Sequence, residues 1–253
     1  MACGGPPPHK QLLLAVQTGD VEKALTLLSN KKKIPDFAFV DVQGRSCLHH
    51  AVRLEDTSVL QKILDACTIE DAVRDNPRNG RTPLMTASNF GKTEACSLLL
   101  IKMGDIQAAK AIAAADTNFC NSVHYAAGKG YADTIQMLLE KAQGEVQHLL
   151  ASTDGGANTP LHKAATGGHS QVVRILIDHG ANVKVENCDG MTPVQTAEAA
   201  MQGDWQTVVS ILQGGNDTPG KMNPAGAMKS HSFRDENKTP TRNNLKKTIA
   251  ITK

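Results

Sequence analysis

The sequence predicts an all-α solenoid: about six stacked helix-turn-helix units, followed by a disordered basic C-terminal tail. Three observations predict it. A short motif returns as Ser46-Cys47-Leu48-His49, Thr82-Pro83-Leu84-Met85, Asn121-Ser122-Val123-His124, Thr159-Pro160-Leu161-His162 and Thr192-Pro193-Val194-Gln195, at steps of 36, 39, 38 and 33 residues; a period in this range marks stacked helical units. Hydrophobic residues make up 40% of the chain and aromatic ones only 3%, so the apolar supply is small aliphatic side chains, which suit closely packed helix pairs. Finally, from Gly214 onward eight Lys and Arg face three Asp and Glu, whereas the whole 253-residue chain carries only +2, so a mildly acidic body bears a basic tail.

The clearest copy of the unit runs from Thr159 to Val183. Thr159 can cap the first helix with its hydroxyl, and Pro160 occupies a first-turn position that needs no amide donor. Leu161, Ala164 and Ala165 then form a narrow apolar stripe at i, i+3 and i+4 that lets a neighbouring helix approach. Gly167 and Gly168 end this helix. The second helix carries Val172, Val173, Ile175, Leu176 and Ile177, apolar around most of its circumference, as a helix wedged between neighbours requires.

At the start of the chain, Leu12 to Leu28 lacks the opening motif but keeps Gly19-Asp20 and a Leu-rich second helix, and reads as an N-terminal cap. The last unit has Gln195 where the motif has His, and a longer stretch from Ala197 to Trp205, and reads as the C-terminal cap. Three steps exceed the usual ~33 residues of such units. The surplus lies at Ala66 to Asp75, Gly104 to Asp116 and Gln143 to Asp154, with helix-compatible content including Ile69, Ala72, Ile106, Ile112, Leu149 and Leu150. An extra helical turn is expected in each. The resulting domain map is a flexible N-terminus over 1–8, a repeat domain over 9–213 with units at about 9–39, 40–75, 76–115, 116–153, 154–186 and 187–213, and the tail over 214–253.

The opening Thr-Pro-Leu-His, the paired alanines and the Val/Leu-rich return helix resemble the ankyrin repeat, strongly from about Gly44 to Leu212. The resemblance implies an ankyrin-repeat solenoid with β-hairpin loops between units. It also implies a structural role for the motif residues His49, Thr82, Pro83, His124, Thr159, Pro160, Leu161, His162, Thr192 and Pro193, the histidines holding hairpin to helix by hydrogen bonds.

Catalytic chemistry finds little to stand on. His49, His124 and His162 recur in register, but register in a solenoid separates them by about one repeat, too far for one metal ion. Ser46, Ser122 and Cys47 fall in structural turns with no base oriented by an acid, and no glycine run follows the strand-to-helix order of a phosphate cradle. The six cysteines lie far apart in sequence, which predicts reduced thiols and a cytoplasmic setting, with nuclear or cytoskeletal association as further options. Met1 to Pro8 has no charged start followed by an apolar stretch, and the longest apolar runs fall far below the ~20 residues of a membrane span. No cofactor, metal or small-molecule substrate is expected.

The expected partner is another protein, and nucleic acid is not. The resemblance places partner contacts at the hairpin tips and on the concave ends of the first helices: Arg45, Arg53, Leu54, Arg78, Asn79, Arg81, Asn89, Phe90, Asn118, Lys129 and Asn158. Four arginines in the first two full repeats, with Phe90, outline a basic groove for an acidic partner segment, since Arg and aromatic residues favour buried interface anchors. Lys31 to Lys33 would extend it. The tail carries Thr218-Pro219 and Thr239-Pro240, where phosphorylation would cancel basic charge. The expected role is a non-catalytic adaptor or scaffold. The alternatives are a nuclear regulator of transcription factors and a cytoskeletal subunit that meets acidic surfaces through the tail.

Overall fold

The computed structural model describes residues 6–30 and 36–214. The first unit pairs α1 (Pro8–Thr18) with α2 (Val21–Ser29); the second holds α3 (Cys47–Ala51), α4 (Ser58–Ala66) and α5 (Ile69–Val73). The third holds α6 (Pro83–Asn89), α7 (Thr93–Met103) and α8 (Asp105–Ala113). The fourth holds α9 (Ser122–Lys129), α10 (Ala132–Lys141) and, after a short 3-10 turn, α11 (Val146–Ala151). Two simple pairs follow: α12 (Pro160–Thr166) with α13 (Ser170–Asp178), and α14 (Pro193–Ala200) with α15 (Trp205–Leu212).

The first helices α1, α3, α6, α9, α12 and α14 pack one on the next, and the second helices α2, α4, α7, α10, α13 and α15 form a parallel row behind them. Small buried side chains, among them Ala51, Ala87, Ala126, Ala164 and Ala197, keep the first row close. The second row supplies bulk through Leu60, Ile63, Leu99, Ile135, Leu138, Val172 and Leu176, all buried. Each such aliphatic side chain contributes about 1.5–3 kcal/mol when taken fully out of water. Ile175 and Ile177, on the flanks of α13, are half-buried.

The three insertions are helical, as α5, α8 and α11. Each is short enough to bury only one face. Ala72, Ile112, Leu149 and Leu150 are buried, while Ile69 and Ile106 remain 44% and 78% exposed.

One boundary moves. Pro8 belongs to α1 and not to a flexible leader, because Pro7 and Pro8 take the cap and first-turn positions where a missing N–H costs nothing. The hairpin loops do not extend into regular strands. Among the described residues the only β pairing is an isolated antiparallel bridge between Val40 and Ser46, because each loop closes within four or five residues. Asp41, Asn76, Asp116, Asp154 and Asn187 each donate their N–H across the loop to Arg45, Arg81, Cys120, Asn158 and Met191 respectively. The lysine run at Lys31 to Lys33, the basic tail beyond Gly214 and its two Thr-Pro pairs lie outside the described residues.

Candidate protein interface

Four of the five hairpins are built from the same turn; the loop from Asn76 to Arg81 is one residue longer, with Asn76 Oδ1 accepting from the Arg78 N–H and Asn79 Oδ1 from that of Arg81. The leading Asp or Asn turns its side chain back onto the loop: Asp41 Oδ1 accepts from the N–H groups of Gln43 and Arg45, both at 2.8 Å. Asp116 Oδ1 does the same for Asn118 and Cys120 at 2.9 and 3.0 Å, Asp154 for Gly156 and Asn158, and Asn187 for Asp189 and Met191. The residue just before the closing position has positive φ in all five loops: Gly44, Gly80, Phe119, Ala157 and Gly190. Glycine fills that slot without cost, whereas a side chain there costs roughly 1–2 kcal/mol.

Neighbouring tips are tied together. Thr117 donates its N–H to the Asn79 carbonyl at 3.1 Å, Gly155 to Asn118 at 2.9 Å and Cys188 to Gly156 at 3.0 Å. Asn76 Nδ2 donates to the Gln43 carbonyl at 3.1 Å.

Behind each tip the motif histidine joins one unit to the next. His49 Nε2 lies 2.8 Å from the Arg81 carbonyl, His124 Nε2 3.2 Å from that of Asn158, and His162 Nε2 3.1 Å from that of Met191. A carbonyl only accepts, so Nε2 carries the proton. In His49 and His162, Nδ1 then accepts from the N–H and hydroxyl of Ser46 and Thr159. Burial lowers the pKa of all three imidazoles, that of His124 to about 4. These histidines are neutral joints, and among the described residues no three His, Cys, Asp or Glu side chains are grouped to hold a metal ion.

The carboxylates at the hairpin bases each recruit a different donor. Burial alone would raise the Asp41 pKa, but hydrogen bonds from the Arg45 N–H, His50, the Arg45 side chain and the Gln43 N–H bring it down to about 2. Asp154 pairs with Lys163 at 2.5 Å. Asp116 accepts from the Tyr125 hydroxyl, and Arg81 Nε lies 3.6 Å from it while the guanidinium stacks over the Tyr125 ring at 4.5 Å. Burial and the Asp116 carboxylate push the Tyr125 pKa up.

These contacts sort the residues expected to meet a partner. Arg45 is bound to Asp41 at 2.9 Å and to Gln43, and Arg81 is fixed as described. Arg53 is exposed and lies 4.7 Å over the ring of Phe90, itself 41% exposed. Arg78, Asn118 and Lys129 are exposed; Leu54, Asn79, Asn89 and Asn158 are half-buried. Asn79 supports the turn by accepting from the Arg81 N–H at 3.0 Å. Asn158 is likewise a tie, accepting from Asn187 Nδ2 at 2.9 Å and donating to Asp154. Arg45 and Arg81 are thus each anchored on a buried carboxylate while remaining partly exposed, whereas Arg53 and Arg78 are exposed. Sequence reasoning missed Phe119, Tyr125 and Lys163, which line one recess with Arg81. Phe119 could have been found as the bulky residue standing where three other loops have glycine.

A family model described as ankyrin repeats (3 copies) matches residues 48–148 and 123–218. An Arabidopsis thaliana protein named as an E3 ubiquitin-protein ligase, XBAT31, is 28% identical over 191 residues, which are 72% of this chain and 40% of that protein. The Drosophila melanogaster transient receptor potential cation channel subfamily A member 1 is 26% identical over 58% of this chain and 12% of its own length. The Danio rerio ankyrin repeat domain-containing protein 13C is 41% identical over 25% of this chain and 13% of its own. The chain thus spans less than half the length of these relatives. With a matching family model, a five-fold hairpin motif and two continuous helix rows, the chain belongs to the ankyrin-repeat family, whose stacks are protein–protein interaction modules.

Proposed function

We propose that this chain is a non-catalytic adaptor or scaffold that grips a partner protein along its hairpin tips and the adjoining ends of the first helices. The observation that carries this reading is a set of exposed large side chains along that edge: Val42 at 79%, Phe119 at 65% and Phe90 at 41% exposure, the last with Arg53 stacked upon it. Aromatic and arginine side chains held in place make strong anchors because little entropy is lost when they bind. The motif histidines and Ser46 are engaged in joints and caps, and Ser122 is buried with no base beside it, which supports the non-catalytic part of the reading. The relatives support it too: similar stacks occupy a minor part of proteins with names as different as ubiquitin ligase and cation channel. The setting under this reading is the cytoplasm, in keeping with five free cysteines among the described residues.

Affinity capture with the full chain and with Arg53→Glu/Phe90→Ala tests it. Both side chains sit at the surface, so the helical circular dichroism should be unchanged while stoichiometric partners are lost. Capture of the same partners at the same yield would reject this edge as the binding surface.

A further inference from the structure

We propose that the recess between the third and fourth hairpins is a docking site for an acidic peptide segment: a partner Asp or Glu seats against Arg81 and Lys163, and an apolar side chain beside it packs on Phe119. This rests on the adaptor reading above and names the chemistry of one partner element.

Phe119 is the first reason. It holds φ at 59°, where three of the four equivalent loops use glycine and the fourth alanine, and its ring is 65% exposed. The backbone strain is not repaid by burial within the chain, and strain of this kind collects where a ligand is gripped. The ring stands over the next hairpin, beside Gly155.

Charge is the second. The recess contains two cations and two carboxylates, but at different depths. The Asp116 and Asp154 side chains are 0% and 8% exposed, whereas those of Arg81 and Lys163 are 38% and 34% exposed. A ligand therefore meets the cations first. Arg81 Nε is buried against Asp116 and its plane rests on Tyr125, so its terminal nitrogens are left for a ligand, already oriented. Asp116, fixed by Tyr125, acts as the positioning residue for this guanidinium.

The neighbouring recess supports the assignment by contrast. It also includes Lys163, but its other wall offers Asn158, Asn187, Met191 and the exposed Asp189, with no aromatic ring and an unburied negative charge. Two cations on a body that is acidic outside its tail suit a peptide carboxylate better than a nucleic-acid backbone, which rewards a run of phosphate contacts.

The test begins with selection of a random dodecapeptide display library on the full chain. Selected peptides should carry Asp or Glu within about two residues of an apolar side chain. Fluorescence anisotropy with a labelled selected peptide should then show about tenfold or greater weakening for Arg81→Gln, for Phe119→Gly and for a peptide with its acid changed to Gln. Phe119→Gly relieves the strained turn, so lost binding there does not reflect lost folding. An empty selection, peptides without acids, affinities unmoved by these changes, or tighter binding of a labelled single-stranded oligonucleotide would each overturn the proposal. If partner capture still depends on Arg53 and Phe90 in that event, the adaptor reading stands without this site.

Discussion

His124 is 2% exposed and has its Nε2 proton committed to the Asn158 carbonyl, so a second proton, on Nδ1, would place a cation inside the core. Its folded pKa of about 4 lies below the ordinary 6.5 because burial penalises the cation. Between those values the unfolded chain takes up a proton that the folded chain refuses. Stability from this residue is therefore full above about pH 6.5 and falls as the pH is lowered toward 4, by roughly 3 kcal/mol in all. Urea unfolding at pH 7 and pH 4.5 should show that loss, with a smaller one in His124→Gln. Gln195 shows that glutamine can fill the position, since its Oε1 accepts from the Thr192 N–H at 2.8 Å. Equal losses in the two proteins would clear the imidazole of responsibility.

At the level of the elements, the hairpin joints are unequal. Met85 stands where His49, His124 and His162 stand in other units, so no imidazole crosses from α6 to the following hairpin, and the Cys120 carbonyl receives only the loop bond from Asp116. That junction is held instead by Thr117, whose N–H and hydroxyl both reach the Asn79 carbonyl, and by Arg81 leaning on Asp116. Met85→His should supply the missing bond and raise the melting stability by about 1 kcal/mol, the net worth of one added hydrogen bond; a lower melting point would mean the ring cannot reach. The last junction depends on a glycine. A Cβ on Gly168 would stand 1.9 Å from the Gln202 carbonyl oxygen at a φ of +67°, because the longer loop before α15 lies directly on it and Asp204 donates to its carbonyl at 3.0 Å. Gly168→Ala should therefore cost more than about 3 kcal/mol, and a chemical-denaturation midpoint close to wild type would show that this loop yields.

For the whole stack, stability is shared between neighbours, since each unit buries its apolar faces only against the next. Leu161 is 1% exposed within α12, between α9 and α14. Leu161→Ala should cost about 2–5 kcal/mol, severe against a usual total of ~5–15 kcal/mol. Because the loss is shared, limited proteolysis should open the hairpins on both sides of α12, and cleavage confined to one side would contradict a coupled stack. A pairing of this kind holds the docking edge: hairpins tied tip to tip present Phe90, Phe119 and their cations from one framework.

The periodicity of the opening motif, the small-residue stripes of the first helices and the apolar surplus of the three insertions were legible in the residues alone, because helix caps, proline positions and side-chain spacing are local properties. For the motif histidines the resemblance implied only a tie between hairpin and helix, and their pairing with Ser46, Asn121 and Thr159 came from the structure. The partners brought together across units were not legible either. That Arg81 lies on Tyr125 and reaches Asp116 depends on how one hairpin sits upon the next, 35 or more residues later in the chain. Burial then decided which charges face a partner. The sequence determined a row of stacked helical pairs, and only their stacking decided that carboxylates lie beneath the cations at the rim, since depth from solvent is a property of the assembled units and of no single one.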